Sequence, residues 1–169
     1  KKERIAELYS ELFFTEKAEL NCIQKPNRYV FLEPELTIEG IDLTYVISYK
    51  PKGGEDFEGT LYINAQNFAV TRLDFNNVKS LFKLKLLGVS VNNNLKSGRM
   101  MFSKNTNNHY ALSYLQMTTD TKIGLDRPLK LIEKNKFVEG RRKQNEISFR
   151  LNLAMIYKSN FELRVFGHE

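Results

Sequence analysis

The sequence predicts an α+β fold: a curved, largely antiparallel β-sheet of about nine strands, a half-barrel, wrapped on an N-terminal amphipathic helix. Most of the chain alternates apolar and polar residues with a period of two, which is typical of half-buried strands. Frequent turn signals leave mostly short connections, which favour antiparallel neighbours. Only the first segment has helical spacing. The alternatives are a closed barrel or a two-layer sandwich with the helix at one end.

The 169 residues are enough for one core, so residues 1–169 are expected to form a single β-rich domain. No apolar stretch reaches the length that a bilayer requires, so no transmembrane segment is predicted. The chain begins without Met and without an export segment, which suggests a trimmed or processed chain. Cys22 is the single cysteine and is expected to act as a small apolar residue.

The predicted helix covers about residues 3–18. Its apolar side chains recur at the i, i+3 and i+4 spacing that places them on one stripe: Ile5, Leu8, Tyr9, Leu12 and Phe13. Pro26 interrupts any helical continuation, and the period then changes to two.

The first clear strand places five apolar residues on one face: Ile41, Leu43, Tyr45, Ile47 and Tyr49. Gly53 and Gly54 indicate a turn, and residues 57–63 form the next strand. Residues 64–67 close a hairpin, after which a bulge near Thr71 or Arg72 brings the following apolar residues onto one face.

In the second half, Gly88 breaks the alternation and indicates a bend or bulge, and residues 92–98 are predicted to form a turn. The most regular strand comes near the end. Its predicted inward-facing residues are Ile147, Phe149, Leu151, Leu153 and Met155.

Charge separates the two halves of the chain. Residues 1–84 hold 11 basic and 13 acidic side chains, net −2, whereas residues 85–169 hold 15 and 7, net +8. Residues 118–144 are predicted to form a long basic connection between two strands, and such connections are either functional or structured. Its cations are the candidate binding residues for an anion or a partner: Arg127, Lys130, Lys134, Lys136, Arg141, Arg142 and Lys143.

This basic segment has two interpretations, a solvated connection stabilised by salt bridges or a patch that faces an anion. For the second, the expected partners are lipid headgroups, anionic glycans or an acidic protein. Nucleic acid is disfavoured, because single-strand binders interleave cations with stacking aromatic rings and Phe137 is the one aromatic residue in the run.

The residue types that carry catalysis are scarce. The two histidines are His109, in a predicted turn, and His168, at the chain end, and neither has a nucleophile motif around it. Glu55, Asp56 and Glu58 lack the spacing of a calcium loop and are interpreted as a solvated turn. The sequence therefore predicts a non-catalytic protein with no cofactor and no metal site.

A family resemblance adds to these expectations. The phrase "GTLYINAQNFAVTRLDF" is similar to the strand-turn-strand unit of the lipoprotein-carrier (Lol-type) half-barrels. The segments "YVISYKPKGGEDFEGTLYI", "KLLGVSV" and "SGRMMFSK" resemble the C-terminal region of uncharacterised cell-envelope proteins of Bacteroidota that carry a carboxypeptidase-regulatory-like domain. The resemblance implies an exported protein in the periplasm or at the outer membrane.

The expected function is a non-catalytic cell-envelope module that binds a lipid-like or other apolar ligand, or an anionic partner. The alternative is a structural domain that docks other parts of a longer envelope protein. A nucleic-acid binder and a hydrolase are the remaining, less favoured classes.

Overall fold

The protein forms one open antiparallel sheet. The computed structural model describes residues 20–54, 57–134 and 143–166, in which a 3-10 turn at Pro26–Arg28 precedes the first strand. The nine strands are β1 (Tyr29–Phe31), β2 (Glu35–Glu39), β3 (Asp42–Pro51), β4 (Phe57–Asn64), β5 (Val70–Asn77), β6 (Phe82–Leu86), β7 (Val89–Lys104), β8 (Tyr110–Lys134) and β9 (Lys143–Arg164).

The strand order is β1-β3-β4-β5-β7-β8-β9, and every pair of neighbours is antiparallel. β2 pairs with β3 beside β1, and β6 pairs with β7 beside β5. Leu87 and Gly88, both with positive φ, join β6 to β7 in a two-residue turn, the conformation that tight hairpins prefer. The predictions of about nine strands and of antiparallel pairing are confirmed.

The hairpin of β4 and β5 follows its predicted chemistry. The Asn64 side-chain oxygen accepts hydrogen bonds from the backbone N–H groups of Gln66 (2.9 Å) and Asn67 (3.2 Å), which closes the turn. Ile63 lies opposite Val70 and Tyr62 opposite Arg72, so one extra residue is accommodated between them. This irregularity confirms the predicted bulge.

The core lies on one face of the central strands. Directly opposite residues of neighbouring strands share a face, so the register builds an apolar row across the sheet. From β3 to β9 this row is Ile47, Leu61, Leu73, Met100, Leu115 and Leu163. Leu20 and Cys22, which precede β1, are buried in the same cluster.

The predicted α+β fold class is wrong. The described residues contain no α-helix, 74% of them are strand, and they form a single open sheet. The predicted helix at about residues 3–18 lies outside the described residues. Helical spacing in one short segment was the only evidence for a helical layer, and local periodicity does not define which layer covers a core.

None of the described segments is an apolar helix long enough to cross a bilayer.

The far end of the sheet narrows to a projecting ribbon. β7 pairs with β8 only as far as Leu125, and residues 126–134 of β8 pair with β9 alone. The segment predicted as a basic connection is therefore strand as far as Lys134, because its residues continue the β8–β9 ladder. We call the part of the sheet formed by β6 and residues 89–93, 121–134 and 143–157 the wing.

Candidate functional site

The wing carries apolar side chains across four strands on one face. Two rows run from β6 through β7 and β8 to β9, and each consists entirely of apolar residues. The first row is Leu86, Val89, Leu125 and Leu153, and the second is Leu84, Val91, Ile123 and Met155. The register places these residues together, since Val89, Leu125 and Leu153 lie opposite one another although they are far apart in sequence.

The same face continues along the projecting ribbon, where Leu129 lies opposite Phe149 and Leu131 opposite Ile147. We call the whole set the apolar wing face. It consists of Phe82, Leu84, Leu86, Val89, Val91, Ile123, Leu125, Leu129, Leu131, Ile147, Phe149, Leu151, Leu153 and Met155.

Most of the apolar wing face is open to solvent. Leu131 is 61% exposed, Ile147 63% and Met155 65%, and only Val91, Leu125 and Leu151 are half-buried. From strand rise and spacing, the face is about 27 Å long and covers roughly 400 Å² in projection. The largest apolar patch on a monomeric protein is commonly of about this size, and it is often a binding site for a protein, a membrane or an apolar ligand.

A polar band separates the apolar wing face from the core, although both lie on the same face of the sheet. Along β8, Met117 packs against the core, Thr119 and Thr121 follow, and Ile123 begins the wing face. On β9, Ser159 lies opposite Thr119. The wing face is therefore a second apolar zone and not the rim of the core.

The opposite face of the wing is mostly polar. Arg150 donates two hydrogen bonds to Asp126, at 2.6 and 2.7 Å, and Lys130 lies 3.2 Å from Glu146. Hydrogen bonds from Arg150 hold the pKa of Asp126 below its usual range. These ion pairs keep one side of the ribbon compatible with water, so the wing is amphipathic.

The structure separates the predicted basic residues between two faces and the ribbon end. Arg127 projects from the apolar wing face between Leu125 and Leu129. Its side chain starts close to Gly88, since a Cβ added to Gly88 would collide with the Arg127 Cγ. Lys130 lies on the polar face. Lys134 and Lys143 are opposite each other at the described end of the ribbon, and Lys136, Arg141 and Arg142 lie outside the described residues.

The prediction that the alternating residues of the last strand point inward is wrong for the wing: Ile147, Phe149, Leu153 and Met155 are exposed. Alternation shows that side chains share a face, but not that another layer covers it. Sequence reasoning also missed the β8 half of this face. Its signal was present, since Ile123, Leu125, Leu129 and Leu131 have the same period, but the charges between them suggested a connection.

The outer face of the central strands offers a shallow polar depression of about 480 Å³, lined in part by Thr60, Asp74, Arg99 and Gln116. Arg99 donates to Asp74 at 2.7 and 3.1 Å, and Arg72 also donates to this carboxylate. Burial raises the pKa of Asp74, but the hydrogen bonds from the two arginines outweigh it and hold the pKa below its usual range. A carboxylate held in this way is ionised and structural rather than a proton donor.

We expect Asp74→Asn to lower the free energy of unfolding at neutral pH by about 1 kcal/mol. This loss is smaller than the contribution of a fully buried hydrogen bond to a charged group, because the Asp74 side chain is 26% exposed. The pKa of Asp74 is lower in the folded state, so this stabilisation is present above the ordinary value of 3.8 and is lost as pH falls through the folded-state pKa. Urea titrations at a series of acidic pH values should show that the difference in unfolding free energy between the unmodified protein and Asp74→Asn becomes smaller as the pH falls. An equal difference at every pH would contradict this role of the charge.

The remaining candidates for chemistry are dispersed. Cys22 is buried against Tyr49, and burial raises the pKa of its thiol to about 11. His109 lies in the turn between β7 and β8, where its backbone N–H donates to the Asn105 side chain at 2.9 Å. Among residues 20–54, 57–134 and 143–166, no three His, Cys, Asp or Glu side chains converge in a way that could hold a metal ion.

Comparison of this chain with protein-family models, with curated proteins and with solved structures finds no match. The apolar wing face is therefore the feature of the fold from which a function can be argued.

Proposed function

We propose that the protein is a non-catalytic binding module of the cell envelope that holds a lipid-like, anionic amphiphile or the lipid surface itself on the apolar wing face. The observation that carries the proposal is an exposed apolar surface that extends across β6, β7, β8 and β9, while the other face of these strands is mostly polar. Covering such a surface releases about 25 cal/mol for each Å² of apolar area removed from water.

Charge supports an anionic headgroup over a neutral apolar partner. Arg127 rises from the middle of the apolar wing face, and an arginine there buries its aliphatic stem while its guanidinium reaches a headgroup. The segment from residue 127 to residue 143 carries seven cations against Glu133 and Glu139. Each cation near an anionic bilayer contributes about 1 kcal/mol of attraction. The assignment to the periplasm or the outer membrane follows the family resemblance and is part of the proposal.

We expect the double variant Leu131→Asn/Ile147→Asn to lose binding to vesicles of phosphatidylcholine and phosphatidylglycerol. Two exposed side chains that become buried on the lipid contribute about 1.5 kcal/mol each, so the partition coefficient should fall by roughly 100-fold. Vesicle co-sedimentation measures this directly. Binding of the unmodified protein should also weaken in high salt and on vesicles of phosphatidylcholine alone.

The matched control is Ile132→Asn/Ile156→Asn, which removes two exposed apolar residues from the opposite face of the same strands. Its binding should remain close to that of the unmodified protein. Equal losses in both double variants would overturn the assignment to the apolar wing face. If the unmodified protein bound neither kind of vesicle and did not bind the apolar fluorescent probe N-phenylnaphthylamine, the lipid-binding function itself would be overturned.

A further inference from the structure

Strand β9 leaves one long edge of the sheet open. It has 22 residues and pairs with β8 on one side, and no strand in the described part of the chain pairs with its other side. An open edge presents backbone N–H and C=O groups that can pair with an added strand. Between residues 145 and 164, β9 contains no proline and no bulge, two devices that block such addition.

The backbone groups at this edge belong to the even-numbered residues of β9. The N–H of Asp126 donates to the carbonyl of Gly88. In the wing, the backbone N–H and C=O groups of even-numbered β8 residues therefore point to β7, and those of odd-numbered residues point to β9. Odd residues of β9 lie opposite odd residues of β8, and the hydrogen bond from Val165 N–H to the Ser113 carbonyl fits this alternation. The even residues of β9 therefore direct their backbone groups to the open edge.

We propose that a second copy of this chain adds to this edge, β9 against β9 and antiparallel, with the two-fold axis at Asn152. This register places Glu146 of one copy opposite Lys158 of the other, and by symmetry the same ion pair forms twice. Opposite charges that face each other across two strands stabilise their pairing. Both residues are even-numbered, so the same positions also exchange backbone hydrogen bonds.

The odd-numbered positions match equally well in this register. Leu151 lies opposite Leu153, Phe149 opposite Met155, and Ile147 opposite Tyr157 of the second copy. Odd residues of both copies lie on one face, so the apolar wing faces of the two copies join into a surface twice as wide. The edge pairing itself is independent of lipid, because it uses backbone groups and the polar face.

Neighbouring registers lack this complementarity. Pairing centred on Arg150 places the two copies of that arginine opposite each other. Pairing centred on Ala154 places Arg150 of one copy opposite Lys158 of the other. Like charges that lie directly opposite each other destabilise a strand pair. Pairing centred one residue to either side of Asn152 leaves Glu146 opposite an uncharged residue. Charge thus selects the register centred on Asn152 from the five between Arg150 and Ala154.

Cysteine cross-linking tests both the dimer and its register. In the proposed pairing the two copies of residue 152 have Cα atoms about 5.5 Å apart, within the range that a disulfide spans. Two copies of residue 150, or of residue 154, lie four residues apart along the strands, about 13 Å, which is too far. With copper phenanthroline as oxidation catalyst, Asn152→Cys should form a disulfide-linked dimer, and Arg150→Cys and Ala154→Cys should each give no more than the unmodified protein.

A mixture of Arg150→Cys and Ala154→Cys should cross-link, because these positions oppose each other in the proposed register. Equal cross-linking of all three single variants, or none in Asn152→Cys, would overturn the register. Sedimentation equilibrium of the unmodified protein should show a mass twice the 19.7 kDa of the chain. A monomer at every accessible concentration would overturn the dimer and leave the proposed lipid binding unaffected.

Asn152→Pro provides a second variant that does not depend on oxidation. The N–H of Asn152 points away from β8, so a proline there removes a bond of the dimer and none of the β8–β9 ladder. We expect the variant to sediment as a monomer with an unchanged far-UV circular dichroism spectrum. A dimer that persists in this folded variant would contradict pairing through β9.

Discussion

Leu73→Ala should lower the free energy of unfolding by about 3–4 kcal/mol, within the range for leucines removed from a packed core. Leu73 is fully buried on β5, between Leu61 of β4 and Met100 of β7. Both neighbours are held by strand pairing on either side, so the sheet cannot collapse into the cavity. Since small domains have only about 5–15 kcal/mol of stability in total, this single change removes a large share of it.

Urea unfolding followed by far-UV circular dichroism measures the loss, since the chain has no tryptophan to report on its core. The matched control is Leu131→Ala on the apolar wing face, where the same atoms are removed from a side chain that is 61% exposed. It should cost under about 1 kcal/mol. If the two variants were destabilised equally, Leu131 would be covered within the protein, and the wing face could not be a binding surface.

The sequence predicts the strands well where turn chemistry and alternation agree. The β4–β5 hairpin is an example, because Asn64 closes the turn with its own side chain and the change of phase after it requires a bulge. Both features depend on residues close in sequence. They were therefore accessible without any knowledge of the sheet order.

Turn propensity failed where a long ladder overrides it. Residues 92–98, predicted as a turn, lie inside β7, where the register with β8 shifts near Asn94 and the strand continues. β9 also runs without interruption through the polar residues 158–160. A turn residue inside a strand costs less than breaking the backbone hydrogen bonds that both neighbours supply.

The candidate site could be predicted only in part, because it depends on register between distant segments. The cations of residues 127–143 are visible in the sequence, but the apolar wing face is assembled from β6, β7, β8 and β9. Whether alternating residues such as Leu153 and Met155 are covered or exposed is a property of the layers around the sheet, and period-two patterns are identical in both situations.

Gly59→Ala should destabilise the protein by about 3 kcal/mol, at the upper end of the cost of overpacking. Gly59 lies on β4 opposite Tyr49 of β3 and Phe75 of β5, and a Cβ there would overlap the backbone carbonyl oxygen of Asp74 and press on the Tyr49 hydroxyl. The obstacle is backbone rather than a flexible side chain, so β4 and β5 must separate to admit one methyl group. That separation also strains the buried Tyr49, whose aromatic ring packs edge-on against Tyr29.

The control for this variant is Gly54→Ala in the turn between β3 and β4, where a Cβ would meet nothing within 4 Å. Its stability should stay within about 0.5 kcal/mol of the unmodified protein. Because Asp74 receives hydrogen bonds from Arg72 and Arg99, displacement of its backbone in Gly59→Ala should also disturb that ion pair. The variant should then lose the acid-dependent part of its stability together with its core packing, whereas a purely local clash would leave the pH dependence of unfolding unchanged.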